Sequence, residues 1–289
     1  MKPPPFDYFA PRSQPEALSL LAQHGDRAKV LAGGQSLIPL LNFRLAHPEV
    51  LVDINRIPEL DYVREWDGGV VIGALTRQAT LERAESVRAR LPILSEAAHL
   101  IGHLPIRHRG TVGGNLAHAD PASELPAVML ALEAEFVLAS QQGRRVIAAD
   151  QFFTGMMTTA LQPGELLVEV RARGLPASTG GAFTEITRRH GDYALVGAVA
   201  LITLNAVGRC ERARLALCGV GPTPLRVPEA EQMLIGEVPA GDLLVAVAER
   251  AAAATDPPSD VHGSASFRRK LARVAVRQAI ETAAARAGG

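Results

Sequence analysis

The chain has 289 residues, more than a single domain usually contains, and its length therefore predicts two domains. Hydrophobic residues make up 47% of it and charged residues 21%, which argues against a mainly disordered or fibrous protein. Its 30 basic residues balance 30 acidic ones, so no overall charge draws it to nucleic acid or to an anionic membrane.

The first part of the chain is predicted to form a β-α-β unit. Ser13 and Glu16 have the spacing of a capping box, in which the two side chains reciprocally satisfy free backbone amides at the start of a helix. The apolar residues 29–32 predict a strand that runs into a glycine pair. Residues 50–54 predict a second strand after an intervening helix.

The next part is predicted to mix strands with helices and to contain one β-hairpin, whose turn is Gln142-Gly143. Its helices are expected to be amphipathic, and Thr76 is expected to cap the first of them. The predicted strands are 69–73, 135–139, 144–148 and 165–171, and the later predicted helices are 91–101 and 121–132.

A run of Gly, Pro, Ser and Thr at residues 174–181 is the most linker-like stretch in the interior of the chain. It predicts a first domain over residues 1–176 and a second over residues 177–289. The first is expected to divide into subdomains of about 1–57 and 58–176.

Beyond the predicted boundary, three strand-length segments without long helices between them predict an antiparallel sheet, followed by helices. These strands are predicted at residues 182–188, 196–205 and 212–218. The last helix, residues 267–285, is expected to turn one face inward, and its arginines are expected to be solvated or to dock a subunit. The predicted inward residues are Phe267, Leu271, Val274 and Ile280.

The sequence predicts a cytoplasmic protein whose association with membranes is at most peripheral. The longest apolar segment, residues 194–204, is shorter than the roughly 20 residues that span a bilayer, and the N-terminus lacks the apolar stretch of a signal peptide. Cys210 and Cys218 are predicted to be buried and reduced. Two cysteines do not complete a cluster, so any iron–sulfur centre must lie on another chain.

Two glycine pairs are the candidate ligand-binding segments: Ala32-Gly33-Gly34-Gln35-Ser36 and Thr111-Val112-Gly113-Gly114-Asn115. Glycine permits positive φ and has no Cβ, so such a turn is able to present consecutive amides to an anion. Neither segment fits a phosphate loop or the Gly-x-Gly-x-x-Gly fingerprint, which disfavours a nucleotide triphosphatase and an ordinary Rossmann dehydrogenase. Taken singly, each pair is weak evidence for a ligand, since most such pairs are only tight connections.

The histidines give weaker signals. His99 and His103 stand four residues apart on a predicted helix, but no third ligand is in view, so they are interpreted as ordinary helix residues and not as a metal site. His118 and Asp120 lie beside the second glycine pair and are candidates for contact with a ligand.

With their flanks, the glycine motifs resemble a known family. The runs at residues 31–40, 109–126, 181–197 and 262–271 are similar to the FAD-binding medium subunits of the molybdenum hydroxylases, which include aerobic carbon monoxide dehydrogenase and xanthine dehydrogenase. The resemblance covers essentially the whole chain. It implies an α+β fold with an FAD-binding domain of the vanillyl-alcohol oxidase and p-cresol methylhydroxylase type, built of two α/β subdomains. It also implies a C-terminal domain like that of the carbon monoxide dehydrogenase flavoprotein, with a three-stranded antiparallel sheet and helices.

The same resemblance implies the residues that bind FAD. The two glycine segments would wrap the diphosphate from two sides, and Glu124 would hydrogen-bond ribose or ribityl hydroxyls. Ile101 and Leu167 would line the flavin and adenine walls, and Tyr193 would stack on the flavin. The implied FAD-binding residues are Lys29, Val30, Leu31, Ala32, Gly33, Gly34, Gln35, Ser36, Leu37, Ile101, Thr111, Val112, Gly113, Gly114, Asn115, Glu124, Leu167, Asp192 and Tyr193.

The resemblance also implies what the chain does. It would be an oxidoreductase subunit that passes electrons from the iron–sulfur clusters of a partner through FAD to an external acceptor, with no catalytic residue of its own. The implied partners are a large subunit with the molybdenum cofactor and a small subunit with two iron–sulfur clusters, assembled as a dimer of heterotrimers. Gln35 follows the glycine pair where some oxidases of the wider superfamily carry a flavin-linked histidine, so the FAD is predicted to be non-covalent.

Two other functions stay open from the sequence. One is a stand-alone flavin oxidase or reductase that binds its own substrate, and the other is a non-enzymatic scaffold subunit whose glycine turns are structural. The substrate of the complex would be selected by a partner chain, and carbon monoxide, a purine, an N-heterocycle or an aldehyde all fit.

Overall fold

The computed structural model describes residues 2–288, and the first part of the chain forms a three-stranded parallel sheet in the order β1-β3-β2. The strands and helices of this part are β1 (Asp7–Phe9), α1 (Gln14–His24), β2 (Ala28–Leu31), α2 (Leu37–Asn42) and β3 (Val50–Asp53). The predicted β-α-β unit is thus confirmed. Strand β1 was not predicted, because it has only three residues and is mostly exposed.

The start of α1 differs in one detail from the predicted capping box. The Ser13 hydroxyl accepts a hydrogen bond from the Glu16 amide at 3.4 Å, as expected. The Glu16 carboxylate, however, accepts from the amide of Arg12 at 2.8 Å and not from that of Ser13. The reciprocal bond therefore falls one residue earlier than the pattern predicts.

The next part of the chain is built on a five-stranded antiparallel sheet in the order β4-β5-β10-β6-β7, and the predicted hairpin forms its β6-β7 edge. A separate two-stranded sheet pairs β8 with β9. The strands are β4 (Val63–Trp66), β5 (Gly69–Gly73), β6 (Glu135–Ser140), β7 (Gly143–Ala148), β8 (Phe153–Gly155), β9 (Thr158–Thr159) and β10 (Leu166–Ala172). The helices are α3 (Gln78–Arg83), α4 (Glu85–Arg90), α5 (Pro92–Leu100), α6 (Leu104–Arg109), α7 (Val112–His118), α8 (Glu124–Ala131) and α9 (Ala149–Phe152).

Three predictions about these helices were wrong. Thr76 does not cap α3, because its hydroxyl donates to the Tyr62 carbonyl at 2.8 Å and the helix begins two residues later. The helix predicted from residue 121 begins at Glu124, after a turn. His99 and His103 do not share a helix, since α5 ends at Leu100 and His103 precedes α6.

The C-terminal part is an antiparallel sheet covered by three helices. Its strands run in the order β11-β12-β13-β14, and the three predicted strands are confirmed as neighbours. A short fourth strand, β14, adds to the three-stranded sheet that was predicted. The elements are β11 (Thr179–Ile186), β12 (Val196–Leu204), β13 (Cys210–Cys218), β14 (Leu225–Arg226), α10 (Pro228–Leu234), α11 (Asp242–Ala253) and α12 (Ala265–Ala287).

The inward face of helix α12 was predicted in part: Ile280 is buried and Leu271 is half-buried against the core, as expected. Phe267 and Val274 are 44% and 47% exposed, whereas the buried face consists mainly of alanines. The reason is the close approach of the helix to the sheet: a Cβ on Gly180 of β11 would lie 1.9 Å from the Ala283 carbonyl oxygen. At that separation the interface has room for small side chains and excludes phenylalanine.

Helix α8 lies at the centre of the molecule. All eight of its residues are buried, and it packs against α5 on one side and against β12 and β13 on the other. The largest hydrophobic cluster therefore joins residues of the five-stranded sheet and its helices to Phe183, Val199 and Leu201 of the C-terminal sheet. No helix among residues 2–288 combines the length and the apolar character that crossing a membrane requires.

Candidate cofactor-binding site

The two glycine segments, about 80 residues apart in sequence, are in direct contact. A Cβ on Gly33 would lie 2.4 Å from the Arg109 carbonyl oxygen and 2.7 Å from the Gly110 Cα. A Cβ on Gly114 would lie 3.5 Å from the Ala32 Cβ. Only glycine permits the first of these approaches, because real Cβ atoms do not come so close to backbone.

The first glycine segment presents unused amides. Among residues 2–288, the backbone N–H groups of Gly33, Gly34, Gln35 and Ser36 make no hydrogen bond. Gly34 has φ +72°, a conformation that favours glycine and turns consecutive amides toward one side. Residues 33–36 are called the amide cradle below. The Gln35 side chain stabilises it by donating to the Gly33 carbonyl at 3.1 Å.

The second glycine segment is a helix start and not a strand-ending turn with free amides, so this part of the prediction was wrong. The amides of Val112 and Gly113 donate to the carbonyls of Thr76 at 2.9 Å and Ala74 at 2.8 Å. The Gly114 amide donates to the hydroxyl of Thr111, which caps α7. The amide of Asn115 donates to the Thr111 carbonyl. The amides of this segment are therefore already satisfied, and Gly114 packs beside Ala32, the residue before the amide cradle.

A polar bridge fixes the two segments to each other. Asn55 donates through its side-chain amide to the Ala32 carbonyl at 2.6 Å, and its Oδ1 accepts from Arg77 at 2.8 Å. Arg77 also donates to the Arg109 carbonyl at 2.5 Å. Asn55 is held in turn by Asp53, whose Oδ1 lies 2.6 Å from its Nδ2. We call Asn55 and Arg77 the Asn55–Arg77 bridge.

The sequence did not single out the Asn55–Arg77 bridge. Asn55 follows β3 and Ala32 follows β2, and these strands are parallel neighbours, so their carboxyl ends lie at one edge of the sheet. The position of Asn55 directly after a predicted strand could have indicated its role, because side chains that follow adjacent parallel strands lie together at the edge of the sheet where ligands bind.

We expect the Asn55→Ala variant to bind FAD about tenfold more weakly. The substitution removes the hydrogen bonds that hold the Ala32 carbonyl beside the cradle, and we expect their loss to reduce the binding free energy by about 1.4 kcal/mol. Titration of the apoprotein with FAD measures the change. Asn205→Ala is the matched control, since Asn205 accepts from the amides of Val207 and Arg209 in a distant hairpin. It is expected to lower stability and to leave FAD affinity unchanged. Equal FAD affinity in the two variants would contradict the role of the bridge.

The acidic residues predicted at the site are near one another. Glu124 is only 4% exposed at the start of α8, and burial, reinforced by the charge of Asp120, raises its pKa to about 7. At neutral pH its carboxyl is therefore partly protonated and is able both to donate and to accept a hydrogen bond. Asn115 accepts from the Ser123 hydroxyl at 3.0 Å, which links the second glycine segment to the residue before Glu124.

Tyr193 lies on the connection between β11 and β12 and is 57% exposed. Its hydroxyl is near Ser36 of the amide cradle and near Asp120. Burial of this hydroxyl end, together with the charges of Asp120 and Glu124, raises the pKa of the phenol. The structure thus brings Tyr193 of the C-terminal part to the cradle of the N-terminal part. The buried Arg268 holds the same connection by donating to the Leu195 carbonyl at 2.7 Å.

The other predicted residues occupy more varied positions. Residues 29–31 form β2 beside the cradle, and Leu37 begins α2 directly after it. Ile101 and Leu167 are 7% and 3% exposed and belong to the central hydrophobic cluster. His118 ends α7, where burial lowers its pKa against the opposing effect of Asp120. Among residues 2–288 no three metal-ligating side chains lie together.

Comparison with known families places two models on the chain. Residues 4–172 match the FAD binding domain in molybdopterin dehydrogenase, and residues 181–283 match the CO dehydrogenase flavoprotein C-terminal domain. Together these two matches cover most of the chain.

Individual proteins match over almost their whole length. The chain is 48% identical to the 6-hydroxypseudooxynicotine dehydrogenase complex subunit alpha of Paenarthrobacter nicotinovorans, over 99% of this chain and 97% of that protein. It is 44% identical to the caffeine dehydrogenase subunit beta of Pseudomonas sp. (strain CBB1), over 99% and 97%. A chain of the carbon monoxide dehydrogenase from Hydrogenophaga pseudoflava superposes with a TM-score of 0.96 at 43% identity, over 99% of both chains.

Proposed function

Because the chain belongs to the FAD-binding medium subunits of molybdenum-hydroxylase-type dehydrogenases, we propose that it holds FAD for electron relay within a larger complex. Electrons would pass from the iron–sulfur clusters of a partner subunit through the FAD to an external acceptor. The observation that carries the proposal is the amide cradle, whose four consecutive N–H groups have no partner among residues 2–288.

The residues present fit the cofactor. FAD carries a diphosphate, and consecutive backbone amides bind such an anion without requiring many cations, as suits a chain with no net charge. Tyr193 is exposed beside the cradle, so an aromatic ring is available to a flat ligand. When bound, the flavin supplies the conversion between one-electron and two-electron transfer. The residues of this chain bind and orient it.

The predicted FAD contacts of Glu124, Ile101, Leu167 and Asp192 are part of the same proposal. Glu124 is supported by its burial near Asp120 and by its influence on Tyr193, since a partly protonated carboxyl suits ribose or ribityl hydroxyls. The FAD is proposed to be non-covalent, because an amide side chain at Gln35 forms no bond to the flavin. The Gln35 amide group instead contacts the Gly33 carbonyl.

The partners are proposed from the relatives. Proteins that match over their full length are named as a subunit alpha, a subunit beta and a medium chain of dehydrogenases. We propose a large subunit with the molybdenum cofactor, a small subunit with two iron–sulfur clusters, a dimer of heterotrimers and a cytoplasmic location. We also propose that the chain divides into two domains between residues 176 and 177, and the gap between the two family matches supports this boundary.

The native protein tests this proposal. We expect one non-covalent FAD per chain, together with co-purifying chains that carry molybdenum and iron. On a denaturing gel the flavin fluorescence should separate from the chain. FAD at a hundred times its dissociation constant should raise the free energy of unfolding of the full chain by about 2.7 kcal/mol, which thermal melting measures. A chain that binds no FAD after incubation would overturn the proposal and favour a scaffold, whereas substrate turnover by the isolated chain would favour a stand-alone flavin oxidase or reductase.

A further inference from the structure

A cavity of about 670 Å³ lies between α5 and β11, and the connection that follows β11 completes its wall. Leu100 and Gly191 line it, and they are the sequence neighbours of Ile101 and Asp192, two of the residues proposed to contact FAD. Phe183 and Leu100 contribute apolar wall. Through Leu100 and Gly191 the cavity adjoins the proposed cofactor site.

Glu185 is the unpartnered carboxyl of this cavity. Among residues 2–288, neither of its oxygens makes a hydrogen bond or an ion pair, and Oε1 is buried. The other two carboxyls in the wall are already paired. Glu82 accepts from Arg107 at 3.0 Å and lies 2.9 Å from His99, and Glu96 lies 2.7 Å from Arg286.

A buried polar atom without a partner costs about 1–3 kcal/mol, so such an atom in a native protein points to a missing ligand. Burial and the charge of Glu124 raise the pKa of Glu185 to about 8. Glu124, whose charge contributes to this shift, is itself one of the residues proposed to contact FAD. The titratable and charged groups around Glu185 are Glu82 of α3, Arg88 of α4, Glu96 and His99 of α5, Glu124 of α8, Cys218 of β13 and His190.

We propose that Glu185 is a further cofactor-binding residue, whose carboxyl hydrogen-bonds the polar edge of the flavin ring where that ring reaches the cavity. This inference rests on the proposed FAD function. The flavin ring fits the site because it is flat, uncharged when oxidised, and carries an N–H donor between two carbonyl acceptors. A protonated carboxyl complements such an edge, since it both donates and accepts. An ionised carboxylate would lose the donor and add a charge in a poorly solvated place.

The test compares FAD affinity of the full chain between pH 7 and pH 9. As Glu185 ionises, wild-type affinity falls, whereas a Glu185→Gln variant keeps an uncharged donor and acceptor. The dissociation constant of the wild type relative to that of the variant should therefore rise about tenfold over this range. Using the ratio removes the titration of groups that do not interact with Glu185, which both proteins share. Glu96→Gln is the matched control, and its ratio to the wild type should stay constant.

Two further measurements keep the inference falsifiable if Glu185→Gln folds poorly. The flavin absorbance of the FAD-bound wild type should shift in a single step that lies above pH 8, because FAD that binds the protonated carboxyl raises its pKa in the complex. The step should persist in Glu96→Gln. Glu185→Met, which has a similar shape and no hydrogen bond, should bind FAD about fivefold more weakly than Glu185→Gln at pH 7. If the wild type binds FAD but its dissociation constant relative to that of Glu185→Gln stays constant with pH, and no spectral step occurs, the Glu185 inference alone is overturned. A wild type that binds no FAD overturns the proposed function instead.

Discussion

The Gly33→Ala variant is expected to bind FAD about tenfold to a hundredfold more weakly than the wild type. The new Cβ would lie 2.4 Å from the Arg109 carbonyl oxygen and 2.7 Å from the Gly110 Cα, both of which are backbone atoms. Backbone does not rotate away as a side chain does, so the two glycine segments must separate. Forced overpacking of this kind costs about 1–3 kcal/mol, and here the displaced residues are those that carry the free amides. Titration of the apoprotein measures the loss.

Gly221→Ala is the control for this variant. A Cβ on Gly221 would meet its nearest atom, the Thr223 carbonyl oxygen, at 3.9 Å, and the residue has no positive φ. The control is expected to match the wild type in FAD affinity and in melting temperature. If Gly33→Ala also matches the wild type, the contact between the glycine segments does not determine the shape of the cradle.

The Arg107→Met variant is expected to lower the free energy of unfolding by about 3–5 kcal/mol at neutral pH. Arg107 is 5% exposed and donates to the Ile101 and Gly102 carbonyls at 3.1 and 3.0 Å. It also pairs with Glu82 at 3.0 Å. Methionine fills the space but leaves a carboxylate and two carbonyls without this donor. Chemical denaturation of both proteins measures the difference, and loosening of the chain at Ile101 should lower FAD affinity as well.

The effect of Arg107→Met should depend on pH. Burial alone would raise the pKa of Glu82, but His99 and Arg107 outweigh it and lower that pKa below its ordinary value. Because the pKa of Glu82 is lower in the folded chain than in the unfolded chain, its carboxylate stabilises the folded chain at pH values above about 4.5, its unfolded pKa. This stabilisation is lost as the pH falls through the folded pKa. The gap between variant and wild type should therefore narrow in acid. Arg88→Met removes an exposed arginine that, within residues 2–288, donates only to the backbone carbonyl of Glu82, at 3.2 Å. It should cost less than about 0.5 kcal/mol, and an equal loss in both variants would argue against the buried ion pair.

The sequence predicted those elements whose side chains carry a strong pattern. Strands β12 and β13 are nine-residue segments rich in apolar residues, and both were predicted close to their true ends. Strand β1 has three residues with no alternation, and its pairing with β3 depends on a partner 43 positions away. The face of α12 was predicted only at Leu271 and Ile280, because alanine gives little hydrophobic signal, although its small size is what the close helix–sheet contact requires.

The sequence predicted which segments form the candidate site but not the hydrogen bonds that they make. Both glycine segments have the same composition signal, yet only the first has free amides. In the second segment, two amides donate to the Ala74 and Thr76 carbonyls. Such pairing between backbone groups depends on the folded structure, and the identities of the side chains do not predict it. Asn55 and Glu185 are ordinary polar residues in sequence. Their roles follow from the strand neighbours and the cavity that the folded chain creates.

The central position of α8 has a consequence for the order of events during synthesis. Its outer face is covered by β12 and β13, and β13 ends at Cys218, 87 residues after the last residue of the helix at Ala131. While the ribosome makes those residues, one side of α8 has no partner. We therefore expect the cofactor-binding half to remain incompletely folded, and to need protection from aggregation, until the C-terminal sheet has emerged. Loading of FAD would then follow completion of the chain, since Tyr193 and the cradle come together only at that stage.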